Sequence, residues 1–300
     1  MLRRNYVLCA LSLMVAGPSL AQIQKHFSVE SEESAEHLSL NLTAPSGTCY
    51  VVPTTNPKPV TIYGHTNNQQ TTPRLRTNIY RQVHVVNVDF ENTQAESIST
   101  TVTRRMFGGA EEEAGDLYKV YLSEYEQFEL NLIYDSGEAF IDLSGLSVDR
   151  CKVNAGNADV KVSYMEAYGN QVKMDTFMAT VDLGTLAIDR INMSHARHII
   201  ADVGFGEMVM GFDAQEQNAS QVTATVGAGS LEVQLENPTL PVIVRLHNSP
   251  LCKVQFPKDF EEIKEDVWIN SAYRENASDL LSFDVEVSMG NLMFLYQDPD

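Results

Sequence analysis

Two aspartates are the first candidates for chemistry: Asp142 in IDLSGLSVDR, residues 141 to 150, and Asp182 in VDLGTLAIDR, residues 181 to 190. The segments lie forty positions apart and share five of ten residues, among them Asp149 with Asp189 and Arg150 with Arg190. If they are equivalent coils of one stacked architecture, the two aspartates stack about 4.8 Å apart. Carboxylates that close form an acid–base pair or, with Asp149 and Asp189 beside them, an oxygen seat for calcium. The competing reading has each Asp accept hydrogen bonds from turn amides while Arg150 and Arg190 neutralise Asp149 and Asp189, and that reading is favoured.

Other residue types give less. His195 and His198 in SHARHII are spaced for two ligands on a helix face, but in a strand the same spacing puts them on opposite faces. No G-x-S-x-G nucleophile elbow occurs, and the glycines precede strands rather than helix N-termini, so neither acyl transfer nor phosphate cradling finds support. Tyr118, Tyr121, Tyr125 and Tyr134 fall in one segment, where they could stack on sugar rings or serve as ordinary strand residues. Glu111, Glu112 and Glu113 with Asp116 read as a solvated charge run. No catalytic residue, metal ligand or cofactor is assigned.

The chain opens MLRRNYVLCALSLMVAGPSLA, two arginines followed by an apolar run and the small-x-small triplet Ser19-Leu20-Ala21, which predicts a signal peptide over residues 1–21. No later stretch is long and apolar enough for a membrane span. The expectation is export to a periplasm or a cell surface without membrane insertion. Loss of Arg3 and Arg4 moves the formal charge from -19 to -21, a field that repels nucleic acid and anionic lipid. Cys49, Cys151 and Cys252 are too far apart for a local metal motif, and an oxidising compartment permits either one disulfide or buried free thiols.

Such residues need elements to position them, and the glycines mark those elements. Around Gly156, Gly206, Gly229 and Gly290, a valine stands three residues before the glycine and apolar residues follow at two, four and six after it. Gly47 keeps part of the pattern through Cys49 and Val51. Alternation after a glycine predicts a strand with one buried face, entered through a tight corner. The strand signals at 82–90, 117–134 and 241–246 agree, and only KDFEEIKEDV, residues 258 to 267, suggests a helix. Residues 66–78 and 91–116 read as loops. Short strands recurring between small-residue corners suggest coils that cover one another's apolar edges, with a twisted two-sheet β-sandwich as the alternative.

The segments LSGLSVDRCKVNAGNADVKVSY, VGFGEMVMGF and VGAGSLEVQLENPTLPVIVRL resemble the toast-rack and putative-adhesin group of bacterial β-solenoid domains, which includes the C-terminal domains of LiaF-type stress-response proteins. The resemblance covers roughly residues 115 to 296 and rests on glycine and apolar positions. It implies a right-handed stacked-strand domain of the cell envelope and brings no catalytic residues.

The expected fold is therefore all-β, a stacked-strand solenoid, with a β region carrying long polar loops over 22–114 and the solenoid body over 115–300. The expected function is a non-catalytic envelope scaffold or adhesin-like interaction module meeting an envelope protein or a second copy. A glycan-binding or glycan-active protein, with Asp142 and Asp182 in one groove, is the alternative.

Overall fold

A computed structural model of the chain describes residues 23–66, 73–90, 116–165, 168–213, 219–236 and 238–297. The first part contains β1 (Ile23–Val29), β2 (His37–Ala44), β3 (Thr48–Thr54), β4 (Val60–Thr66), β5 (Arg74–Tyr80), β6 (Val83–Asp89) and β7 (Leu117–Ser123). Two long strands follow, β8 (Gln127–Asp142) and β9 (Ser147–Ser163). Short pairs come next: β10 (Thr176–Val181) with β11 (Thr185–Ile188), β12 (His198–Val203) with β13 (Glu207–Phe212), and β14 (Ser220–Val226) with β15 (Ser230–Leu235). The chain ends with β16 (Val242–Asn248), β17 (Lys253–Gln255), β18 (Glu261–Lys264), β19 (Val267–Ile269), β20 (Leu281–Val287) and β21 (Asn291–Tyr296). The fold is all-β, and among the described residues the helical content is one 3-10 turn at Ile191–Ser194.

Alternating side chains decide how these strands associate. In β14, Ser220, Val222, Ala224 and Val226 are buried while Gln221, Thr223 and Thr225 face water. A strand with one apolar face needs a second apolar face opposite it, and each coil supplies both by turning a corner between two strands. Two parallel ladders result. One runs β6, β2, the first half of β8, the first half of β9, β10, β12, β14, β20, β16. The other runs β7, β3, the second halves of β8 and β9, β11, β13, β15, β21, β17. Parallel stacking in both ladders identifies the solenoid over the sandwich, whose sheets are built from antiparallel neighbours.

Antiparallel strands finish the stack. β5 pairs with β6, and β4 with β7 and β1, at one end; β19 pairs with β16 and β18 at the other. Such caps cover the open amides of the terminal coils, which otherwise recruit other chains. They also explain two differences from the sequence reading. KDFEEIKEDV is β18, a turn through Asp266 at φ 60°, and the start of β19, because the edge of β16 demands a partner. Residues 74–78, read as loop, belong to the exposed edge strand Arg74–Tyr80, which lacks alternation because it has no buried face. Residues 67–72 and 91–115 of the two expected loops lie outside the described residues.

Chain order and spatial order part company near the end. The β20–β21 coil lies between the β14–β15 coil and the β16–β17 coil, although it follows both in sequence. Stacked rings of Phe256, Phe260 and Trp268, with Phe294 tilted beside them, plug the core at that end.

The corners stack too. The strand register aligns Gly47, Gly137, Ala158, Gly184, Gly206, Gly229 and Gly290 in one column. A β-carbon on Gly137, Gly184, Gly206, Gly229 or Gly290 would run into the carbonyl oxygen of the preceding corner, so glycine is required by close approach. Gly156 is not in this column. It stands two residues ahead of its coil's corner, which Ala158 holds.

Candidate functional site

The aspartates are not brought together. Asp182 is in register with Gly156 and, through it, with Asp135, seven residues before Asp142 along the coil. Asp142 ends β8 opposite Ser163 at the far side of the second ladder. Its Oδ1 accepts the amide of Ser144 at 2.9 Å and the Ser144 hydroxyl, so it holds a turn. Asp182 is exposed at the near corner. No shared groove joins them, and the acid–base and calcium arrangements require one.

The neighbouring charges divide in the same way. Asp149 accepts the Gln127 side-chain amide at 2.6 Å, and Arg150 turns instead to Glu129 at 3.8 Å and Asp175 at 3.6 Å. Arg190 does reach Asp189, at 3.6 Å, and also the buried Asp213, at 3.4 Å. His195 ends the 3-10 turn with Nδ1 2.9 Å from the Asn170 carbonyl, whereas His198 is exposed at the start of β12. Among the described residues no cluster of three or more His, Cys, Asp or Glu could hold a metal ion.

Tyr118 and Tyr134 are core residues, and Tyr121 packs edge-on against Tyr63. Tyr125 alone of the four is well exposed, at 73%. It borders a cleft of about 470 Å³ with Tyr168, Met165, Glu124 and Gln171, floored by Ser144. Cys49, Cys151 and Cys252 are unpaired among the described residues. Burial pushes the thiols of Cys49 and Cys151 up to about 12, which leaves them inert.

The candidate site is at the corner itself. On successive coils the residue just before the corner glycine is Leu183, Phe205, Ala228 and Met289. Each is held by the same bond: Leu183 donates its amide to Gly156 at 2.8 Å, Phe205 to Asp182 at 2.7 Å, Ala228 to Gly204 at 2.8 Å, and Met289 to Gly227 at 2.8 Å. The backbone is thus spent along the stack, and the side chains project into water. Leu183 is 63% exposed, Phe205 73% and Met289 60%; Leu251, at the corner of the next coil, is 74% exposed. Isolated exposed apolar residues are ordinary, whereas a row of them along one edge is a candidate contact surface.

Acids border the row. Asp182, Asp202 and Glu286 lie on the first-ladder side and Glu207 on the second, and among the described residues none of the four has a cation within ion-pairing distance. Sequence reasoning passed over the row because it followed the valine and the glycine. The signal stood between them, in VDLG, VGFG, VGAG and VSMG.

No protein-family model matches the chain, and no curated protein matches it. Solved structures similar to it include a putative cell adhesion protein from Clostridium sporogenes, at 11% identity and a TM-score of 0.41, aligned over 92% of this chain and 100% of that one. Another is a putative adhesin from Bacteroides fragilis, at 10% identity and a TM-score of 0.32 over 93% and 99%. A third is a putative adhesin from Parabacteroides merdae, at 9% identity and a TM-score of 0.29 over 91% and 95%. These likenesses are distant, and the functional reading rests on this chain's own residues. No helix among the described residues is long and apolar enough to cross a membrane.

Proposed function

We propose that the chain is an exported, non-catalytic interaction module of the cell envelope that meets its partner along the corner row Leu183, Phe205, Ala228, Met289. The single observation that carries this is the row's repetition on consecutive coils with the side chains held outward. Covering Leu183, Phe205 and Met289 would stabilise a complex by about 1.5–3 kcal/mol for each side chain fully buried. Export by the leader at 1–21 belongs to the same reading.

The test is a photo-activated cross-linking residue placed at Phe205 and, as a control, at the exposed Thr223, in cells of the native host. One dominant product from position 205 and none from 223 is expected. Equal labelling from both positions, or turnover of a substrate by the purified protein, would sink the proposal.

A second reading places a glycan in the cleft of Tyr125 and Tyr168, where exposed rings stand beside Glu124 and Gln171. Tyrosine faces stack on sugar C–H groups while carboxylate and amide bind hydroxyls. Titration with soluble peptidoglycan fragments tests it, and binding that survives Tyr125→Ala with Tyr168→Ala counts against it.

A further inference from the structure

We infer that the partner of the corner row is a basic amphipathic helix lying along the solenoid axis. This rests on the reading of the row as a contact surface and adds the partner's shape and charge.

Shape follows from pitch. Neighbouring coils repeat about every 4.8 Å, and an α-helix presents its i, i+3 and i+4 side chains about every 5.4 Å along its axis. From Leu183 to Met289 the row climbs three coil steps, so the two patterns drift apart by only about 2 Å. An extended strand shows same-face side chains about every 6.7 Å, and over the same steps it would drift by about 6 Å, a whole rung. Strand addition is closed for a second reason, since the amides of Leu183, Phe205, Ala228 and Met289 already donate within the stack. Only side chains remain for a partner to meet, which is how an amphipathic helix binds.

Charge follows from the borders of the row. Asp202 and Glu286 on one side and Glu207 on the other are exposed, flank the exposed Phe205 and Met289, and have no cation of their own among the described residues. Asp159, in the same column as Glu207, extends that border toward the start of the row, its carboxylate accepting the Thr185 hydroxyl at 2.8 Å. Lys253, beside the Leu251 corner, is the single exposed cation in that column. A helix with lysine or arginine flanking its apolar stripe satisfies these acids, and an acidic or neutral helix leaves them to repel or to lose water uncompensated. A second copy is disfavoured by the same borders, since two identical rows would face acid with acid in a chain of formal charge -19.

The test uses three synthetic peptides of about five helical turns: one with a leucine stripe flanked by lysines, one with the same stripe flanked by glutamates, and one with the lysine composition scrambled to abolish the stripe. Binding to the full chain is read by fluorescence anisotropy at low and high salt. The lysine-flanked helix should bind, weaken about tenfold at high salt, and be lost in Phe205→Ser with Met289→Ser. It should weaken about tenfold in Asp202→Asn with Glu207→Gln and Glu286→Gln, and the scrambled peptide should not compete with it.

Equal binding of the glutamate-flanked helix, or no loss on neutralising the three acids, overturns the inference. In that case a cross-link confined to Phe205 leaves the contact surface standing. A sedimenting dimer abolished by Phe205→Ser overturns it in favour of a second copy. Absence of binding by every peptide, together with equal cross-linking at positions 205 and 223, removes both the inference and the surface it rests on.

Discussion

The Cγ1 methyl of Val203 lies 2.8 Å from the point where a β-carbon on Gly229 would sit, one coil further along the stack. Val226 stands in the same relation to Gly290, and the Cγ2 of Val181 to Gly206. The valine three residues ahead of a corner therefore fills the space that the next coil's glycine leaves empty, and V-x-x-G recurs because the two positions are complementary in shape. Gly229→Ala should cost about 3 kcal/mol, the upper end for overpacking, since it also meets the Gly206 carbonyl. Gly145→Ala should cost about 1 kcal/mol, from its φ of 68° alone, because nothing lies within 4 Å of that site. Urea unfolding of the two variants separates the cases; equal losses would show that the Gly206 carbonyl and Val203 give way to an added methyl.

At the far corner a buried asparagine replaces part of the backbone ladder. The Asn170 side chain accepts the Val148 amide at 2.8 Å and donates to the carbonyls of Val148 at 2.8 Å, Val172 at 2.8 Å and Ser194 at 3.2 Å. Asn170→Ala strands those groups without water and should destabilise by about 2–3 kcal/mol. Retention of the wild-type urea midpoint would show that water enters the corner and replaces the amide.

Thiol chemistry should separate the cysteines by burial. In the folded protein a maleimide should label Cys252, which is half-buried, and spare Cys49 and Cys151. Mass spectrometry after tryptic digestion reads this directly, and modification of Cys151 under native conditions would contradict the packing around it.

Alkaline pH should weaken the fold. Desolvation raises the thiols of Cys49 and Cys151 from 9.0 to about 12, so between those values the folded state holds protons that the unfolded state has released. Their contribution is complete below pH 9 and lost as pH rises toward 12. Burial moves the Tyr134 and Tyr164 hydroxyls in the same direction. The urea midpoint should fall steadily above pH 9; a flat profile to pH 11 would contradict it.

A fragment starting at residue 115 should not behave as a free module. β8 pairs along its first half with β2 and along its second with β3, and β7 pairs with β3 and β4. Removing residues 22–114 bares two parallel edges and the core residues Leu130 and Leu132 beneath them, which invites association. Gel filtration should show oligomers, and a monodisperse monomer would establish residue 115 as a true domain boundary.

Much of the architecture was legible because burial alternates strictly along β10, β14 and β15 and because the corner glycines admit no substitute. What misled was the sameness of the two ladders. IDLSGLSVDR closes a second-ladder strand, whereas VDLGTLAIDR crosses the corner from first to second, so the five identical positions sit half a coil out of step. Alternating apolar residues look alike on either ladder, and the identity of Asp142 with Asp182 carried no information about register. The apolar row escaped for a related reason: residues between the repeated valine and glycine look like filler until the coils are stacked.

The placement of β20 and β21 between two coils that precede them in sequence bears on how the molecule assembles as it is made. A stack laid down in chain order can close coil by coil behind the ribosome. Here β16 and β17 have no seat until residues 281–296 arrive, so a segment made after them acts as a wedge that admits its predecessors. Until then Val222 and Val226 of β14 lack the neighbouring coil that covers them. Losing that segment would not shorten the stack by a coil; it would leave β16 through β19 with nowhere to dock.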